Sequence, residues 1–308
     1  MSSLKPTFGC VVLTQGKRTE QLNKAVESIL LQQNVEVDVV VVGNGWKPEG
    51  FSQNVKTVHI NENLGIPAGR NAGVNSVSGD LLFFLDDDVT LTDLNTLEKI
   101  YKIFINKPKV ALIQPQPKDP NGLATPRRWI PRINTSNPNR SSFMFSLWEG
   151  ATTIRRDVFQ KVGLWPYEFF YGHEGVDLVW RVWDHGYQCW YAGDIQVSHP
   201  AVEPSFRHKI YYQYQARNRV LLARRNLPNL IKIIYLFNWR IISLFRLKNN
   251  NEAISEFKLG WEDGKVMDIF SQKKLSWLTI LKMTLYLRSE EHTSELQSLA
   301  YLVCRLLL

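Results

Sequence analysis

Residues 61–88 read NENLGIPAGRNAGVNSVSGDLLFFLDDD. LLFFL is short, continuous and apolar, so 81–85 reads as a buried strand. Three carboxylates follow it without a spacer: Asp86, Asp87 and Asp88. Open α/β sheets bind ligands beyond the carboxyl ends of their strands. Adjacent carboxylates repel one another, which is costly unless a cation sits among them. Hard oxygen ligands suit Mg²⁺ or Mn²⁺, and either ion can also hold a diphosphate. The bland alternative is an acidic, solvated turn. Upstream, the glycine-punctuated stretch 65–77 reads as a loop and helix, with Pro67 at a first-turn position. Arg70 lies within it, either as a bidentate diphosphate contact or as an ordinary surface arginine.

Working outward, FGCVVLT (8–14) is a buried strand, and 19–33 carries Leu22, Val26, Ile29 and Leu30 at helical spacing. The valine run 37–42 reads as a central parallel strand, broken by Gly43 and Gly45. Residues 56–60 form a short strand. Thr92 is a candidate cap for a helix running to about Asn106, and 110–114 is the next strand. Residues 115–142 hold six prolines with Arg127, Arg128, Arg132 and Arg140, and read as one long functional or disordered loop. The pattern resumes with a strand at 151–154, a helix at 174–185 and short strands at 188–191 and 196–199. Strands alternating with helices predict an α/β fold with a mixed, mainly parallel sheet flanked by helices.

A second constellation is FFYGHEGVDLVWRVWDHGY, 169–187. Glu174 and Asp177 are three apart and can share one face near a helix N-terminus. Asp177 and Arg181 are four apart and can pair. His173 precedes them, with a reference pKa that favours a base. The alternative is a helix start decorated with acids that complement its dipole.

These motifs, in this order, resemble family-2 glycosyltransferases of the GT-A fold from Phe8 to about Pro200. The carriers are VVLTQGKRTEQLNKAVESILLQ, the quoted stretch 61–88 and the acidic helix start. The resemblance implies inverting transfer of a hexose or deoxyhexose from a nucleotide-sugar donor to a saccharide or lipid-linked acceptor, in bacterial-type envelope synthesis. It implies that Asp86, Asp88 and His199 contact a divalent metal, Mg²⁺ or Mn²⁺. Thr14, Asn44, Gly65, Arg70, Asp86 and Asp87 would line the donor cleft. Glu174 would be the catalytic base, with Asp177 and His173 beside it. Trp148, Glu149 and Gly150 would lie near the acceptor, with Trp148 stacking on a sugar face or simply serving as core. His199 is either a ligand or a structural histidine. Two departures stand out: Gly43 and Gly175 occupy positions where the family usually carries an acidic residue. A nucleotidyltransferase would show a glycine-rich loop after the first strand, which TQGKRTE lacks. A degenerate, non-catalytic nucleotide- or membrane-binding module stays open.

Composition bounds the rest. A chain of 308 residues with 12% aromatics is not a disordered one. Its three cysteines, Cys10, Cys189 and Cys304, form no framework and point to a reducing compartment. The start resembles no signal peptide, and no run of 18 apolar residues suggests a spanning helix. The net charge of +8 is local: 205–251 holds ten Lys/Arg and no acid, so the rest has 27 basic and 29 acidic groups, a net of −2. This basic helical appendage, interleaved with aromatics and aliphatics, suits an anionic membrane surface rather than nucleic acid. The expected organisation is a GT-A domain at 1–204, a membrane-proximal region at 205–287 and a tail at 288–308. The expected location is cytoplasmic, peripheral to the inner membrane face. RSEEHTSELQS (288–298) matches the translation of a widely used sequencing adapter, so the tail is expected to be non-native.

Overall fold

A computed structural model describes residues 5–131, 137–201, 209–270 and 273–289. Strands β1 (Thr7–Thr14), β2 (Glu36–Asn44), β3 (Val55–Ile60) and β4 (Leu81–Asp86) alternate with helices α1 (Thr19–Leu30) and α2 (Ile66–Val74). They are followed by β5 (Thr90–Leu91), α3 (Thr96–Asn106), β6 (Val110–Lys118), β7 (Ser142–Phe143), β8 (Ala151–Arg155), α4 (Arg156–Val162), α5 (Glu174–Asp184) and β9 (Gln188–Ser198). One sheet runs β3-β2-β1-β4-β8-β6-β9-β5, with β7 also on β9. The first four strands are parallel. β8 enters antiparallel between β4 and β6, and β9 returns parallel to β6. This is the mixed, helix-flanked α/β sheet expected.

The valine run is continuous because both of its faces are covered. Val39 and Val41 pack with Cys10, Val12, Phe83 and Leu85 against Leu22, Val26 and Ile29 of α1 and Leu97, Ile100 and Phe104 of α3. Val40 and Val42 pack with Val11, Leu13, Leu82 and Phe84 on the opposite face, under Val74 of α2 and Leu178 of α5.

Three local expectations change. β6 extends to Lys118 through Pro115 and Pro117, where 115–142 reads as loop. β8 stops pairing with β6 at Ile113, so only β9 flanks the prolines and their missing N–H groups break no second ladder. Residues 188–191 and 196–199 are one strand, β9, with a break in register between Ala192 and Gln196. Thr92 does not cap α3, which starts at Thr96; the Thr92 hydroxyl donates instead to the Gln196 carbonyl at 3.1 Å.

Beyond the sheet lie α6 (Lys209–Asn226), α7 (Asn229–Leu247), α8 (Asn251–Val266) and α9 (Trp277–Ser289). Pro228 separates α6 from α7, and the Asn250 side chain caps α8 through the Ala253 N–H at 2.9 Å. Leu221, Leu222, Ile231, Tyr235, Trp239, Ile280 and Met283 join the core that holds Phe84 and Leu178. The composition change near 204 is therefore not a gap in packing. No helix among the described residues is long and apolar enough to cross a membrane. The adapter-like string and Cys304 lie outside the described residues, apart from Arg288 and Ser289 at the end of α9.

Candidate active site

Parallel pairing brings the carboxyl ends of β1, β2 and β4 level: Thr14 lies opposite Gly43, and Leu13 opposite Asp86. The Thr14 hydroxyl donates to Asp87 Oδ2 at 2.6 Å and accepts the Gly16 N–H at 2.9 Å. Asn44 is 3% exposed and fully engaged by its own loop. Its Oδ1 accepts the Leu64 N–H at 2.9 Å, and its Nδ2 donates to Asn63 Oδ1 at 2.9 Å and the Gly65 carbonyl at 3.0 Å. Asn44 therefore shapes the entry to α2 and offers little to a ligand. Gly65 has φ +86°, and a side chain there would strike Phe170. A side chain at Gly43 would strike the Trp46 carbonyl and Pro48, so this turn leaves no room for the acidic residue expected there.

The three aspartates face different partners. Asp86 Oδ1 accepts from Arg70 Nη2 at 2.8 Å, and the same nitrogen donates to the Glu149 carbonyl at 3.0 Å. Arg70 is 1% exposed, with its guanidinium 5.0 Å from the Trp165 ring centroid. It is not a surface arginine but a buried cation under the cleft, and its Nε and Nη1 are buried without partners. Arg18, which sequence reading passed over, bridges Asp87 and Asp88. Only its position between β1 and α1 hinted at such a role. Burial and the neighbouring carboxylates push Asp87 and Asp88 upward in pKa.

His199 follows β9, its N–H donating to the Lys118 carbonyl at 2.9 Å. Its ring stands edge-on to Trp129 and Trp148, at 4.5 and 5.2 Å between centroids. Nε2 lies 3.5 Å from Asp88 Oδ1, and Nδ1 is buried without a partner. Burial lowers its pKa to about 4, which keeps the imidazole neutral, the form that binds metals. Asp88 and His199 thus fit a hard or borderline cation. The expected trio of Asp86, Asp88 and His199 is not assembled, however. Asp86 is turned to Arg70, and no three His, Cys, Asp or Glu side chains among the described residues converge on a metal position.

Across the cleft, the chain enters α5 through a contorted loop. Phe170, Gly172 and His173 have φ of 59°, 84° and 72°, costly for the two non-glycines. Asn218 of α6 holds this loop. Its Nδ2 donates to the carbonyls of Phe169, Tyr171 and Gly172 at 2.8, 2.7 and 2.7 Å. Glu174 follows, 2% exposed, with Oε2 buried and unpartnered. Burial raises its pKa. Burial and the nearby Arg219 hold His173 well below the usual histidine range.

Asp177 does not join Glu174 in the cleft. It is 0% exposed, and its carboxylate accepts from Arg181 Nε at 2.8 Å, Arg225 Nε at 3.1 Å and Asn226 Nδ2 at 2.7 Å. Burial opposes its charge, but the two guanidiniums and Asn226 overcome this and hold the carboxyl below the usual range. The i, i+4 pair with Arg181 forms as expected, inside the core.

The 148–150 segment ties the two sides together. Trp148 N–H donates to Gln114 Oε1 at 2.8 Å, and its ring packs 5.6 Å from that of Trp129. The Gly150 carbonyl accepts the Asp86 N–H at 2.9 Å. Glu149 Oε1 accepts the Gly175 N–H at 2.9 Å. A side chain at Gly175 would run into the Glu149 carboxylate. Burial and the adjacent Glu174 push the Glu149 carboxyl up to about 8.

Strand ends here meet an acidic cluster, and a buried carboxylate stands at the start of α5. Residues 10–163 match the model of Glycosyl transferase family 2, and the chain belongs to that family. It is 29% identical over 108 residues to an uncharacterized protein of Haemophilus influenzae, covering 35% of this chain and 55%, about half, of that relative. Its fold is similar to that of mannosyltransferase PcManGT from Pyrobaculum calidifontis, solved with GDP-Man and Mn²⁺, at a TM-score of 0.55 and 14% identity, over 87% of this chain and 77% of that one. GalNAc-T7, solved with UDP, GalNAc and Mn²⁺, aligns at a TM-score of 0.59 and 14% identity, over 85% of this chain and 57% of that one. S. aureus TarS 1–349 aligns at 0.57 and 15% identity, over 92% and 87%.

Proposed function

We propose that this glycosyltransferase moves a hexosyl or deoxyhexosyl group from a nucleoside-diphosphate sugar to an acceptor hydroxyl with inversion, assisted by a divalent cation. The observation that carries this is Glu174, a buried carboxylate with an unpartnered oxygen within electrostatic reach of Arg70 and Asp86. Glu174 takes the acceptor proton, and the acceptor oxygen displaces the diphosphate in one step. Arg18, half exposed over Asp87 and Asp88, is the guanidinium best placed to meet the leaving diphosphate. Arg70 orients Asp86 from beneath. Mg²⁺ or Mn²⁺, held by Asp88 and His199, would neutralise charge on the leaving group. Mn²⁺ in the PcManGT and GalNAc-T7 structures supports this use of a metal.

The setting we infer is envelope polysaccharide or glycolipid synthesis, with a saccharide or lipid-linked acceptor, at the inner face of the cell membrane. Supporting it is α7, whose Leu230, Ile233, Phe237, Ile241 and Phe245 form an exposed stripe within the acid-free segment 205–251. The test is release of nucleoside diphosphate from a panel of UDP- and GDP-sugars with Mn²⁺ or Mg²⁺. Turnover should vanish in excess chelator and in Asp88→Ala. Full turnover under both conditions overturns the cation role, and silence across the whole panel overturns the donor class.

A further inference from the structure

We propose that Glu149 is a second catalytic carboxylate, paired with Glu174 and presented to the acceptor in the space that Gly175 leaves open. This rests on the reading of Glu174 as the base. Glu174 is almost wholly buried at 2% exposure, whereas the Glu149 residue is partly buried. The Gly175 N–H fixes Glu149 Oε1 at 2.9 Å against the first turn of α5. A side chain at 175 would displace the Glu149 carboxylate from this position.

The same short segment is tied to the donor side. The Glu149 carbonyl accepts from Arg70, which pairs with Asp86, and the Gly150 carbonyl accepts the Asp86 N–H. The backbone of Glu149 is thus anchored to the donor side while its carboxylate is held by the Gly175 N–H, which pre-organises the group for chemistry. Neighbouring carboxyl groups resist double ionisation, and burial together with Glu174 raises the Glu149 carboxyl. In the transfer, the acceptor O–H bond breaks and its proton goes to the pair. The acceptor oxygen bonds to the anomeric carbon, and the sugar–phosphate C–O bond breaks with its electrons on the diphosphate.

The experiment is steady-state release of nucleoside diphosphate, using the UDP- or GDP-sugar that the wild type turns over, alongside thermal unfolding. Glu149→Gln keeps an oxygen for the Gly175 N–H but removes the charge. It should lower kcat by about 10²-fold or more with KM for the donor little changed, on the scale of losing a general base. Glu149→Ala should do the same. Adding Gly175→Asp to Glu149→Ala places a carboxylate from the α5 side into the vacated volume, and should recover at least tenfold of the lost kcat. Gly175→Asp alone should lower Tm, and Glu149→Ala should restore much of it. Wild-type kcat in Glu149→Gln overturns the pair while leaving Glu174 in place, provided Glu174→Gln is slow. Wild-type kcat in Glu174→Gln overturns the base reading itself. A folded Glu149→Ala/Gly175→Asp protein no faster than Glu149→Ala also overturns the pair. If the double variant does not fold, Glu149→Gln decides alone.

Discussion

At the scale of single residues, Asp177 is an acid fully enclosed by the core. Its spacing from Glu174 places both on one helix face, yet the core on that side supplies Arg181, Arg225 and Asn226, and the carboxylate is drawn inward. Its worth is structural. Asp177→Asn leaves two buried guanidiniums short of charge, and breaking a buried pair costs about 3–5 kcal/mol. Because the folded-state pKa lies below the unfolded one, this stabilisation is present at neutral pH and fades as pH falls below about 4. Thermal unfolding across pH 2–7 should show the variant well below the wild type at pH 7 and the two curves converging in acid. Parallel curves would count against the ion-pair account. Arg70 has a similar lesson: its type predicted an anionic partner, and the partner is Asp86, underneath the cleft.

At the scale of elements, α6 reaches into the loop before α5 through Asn218, a contact between residues 46 to 49 positions apart that no local pattern encodes. Asn218→Ala would remove a donor from the Tyr171 and Gly172 carbonyls, while Phe169 keeps the Arg217 guanidinium, and would release a loop with two strained non-glycine residues. We expect a stability loss of about 1–3 kcal/mol, the range for an unsatisfied buried polar group. We also expect a fall in kcat larger than any change in donor KM. Unchanged kcat in a folded variant would show that α6 does not set the position of Glu174. The next helix, α7, faces outward with Ile233 and Phe237 each 64% exposed. Its i, i+3, i+4 spacing separates a core face bearing Ile231, Tyr235 and Trp239 from the outer stripe. Ile233→Glu/Phe237→Glu should leave Tm within a degree or two and abolish co-sedimentation with phosphatidylserine vesicles. Retention of binding at low salt would remove the stripe from the membrane reading.

At the scale of the whole molecule, the appendage and the sheet share one core, and two ion pairs of Arg225 join α6 to Asp177 and Glu168. Removing everything after Pro200 would uncover Trp180, which packs on Tyr235, and leave Asp177 without Arg225 or Asn226. We expect that truncation to aggregate, and the full chain to unfold in one calorimetric transition. Two resolved transitions, or a soluble, folded 1–200 fragment, would show that the compositional boundary near 204 is also a folding boundary.

What the sequence determined by itself was set by local chemistry. Continuous β-branched runs produce strands covered on both faces, strand-end carboxylates lie at the binding edge, and the ordered motifs mark the family. Backbone geometry dictates such features within a few residues, so they survive without knowledge of neighbours. Only the tertiary structure decided which side chains meet. Arg18 over the aspartates, Asn218 under the loop, the inward turn of Asp177 and the fit of Glu149 into the space at Gly175 all join residues far apart in the chain. Their positions depend on how sheet, helices and appendage pack, and close packing leaves room for a carboxylate only where a distant glycine has none.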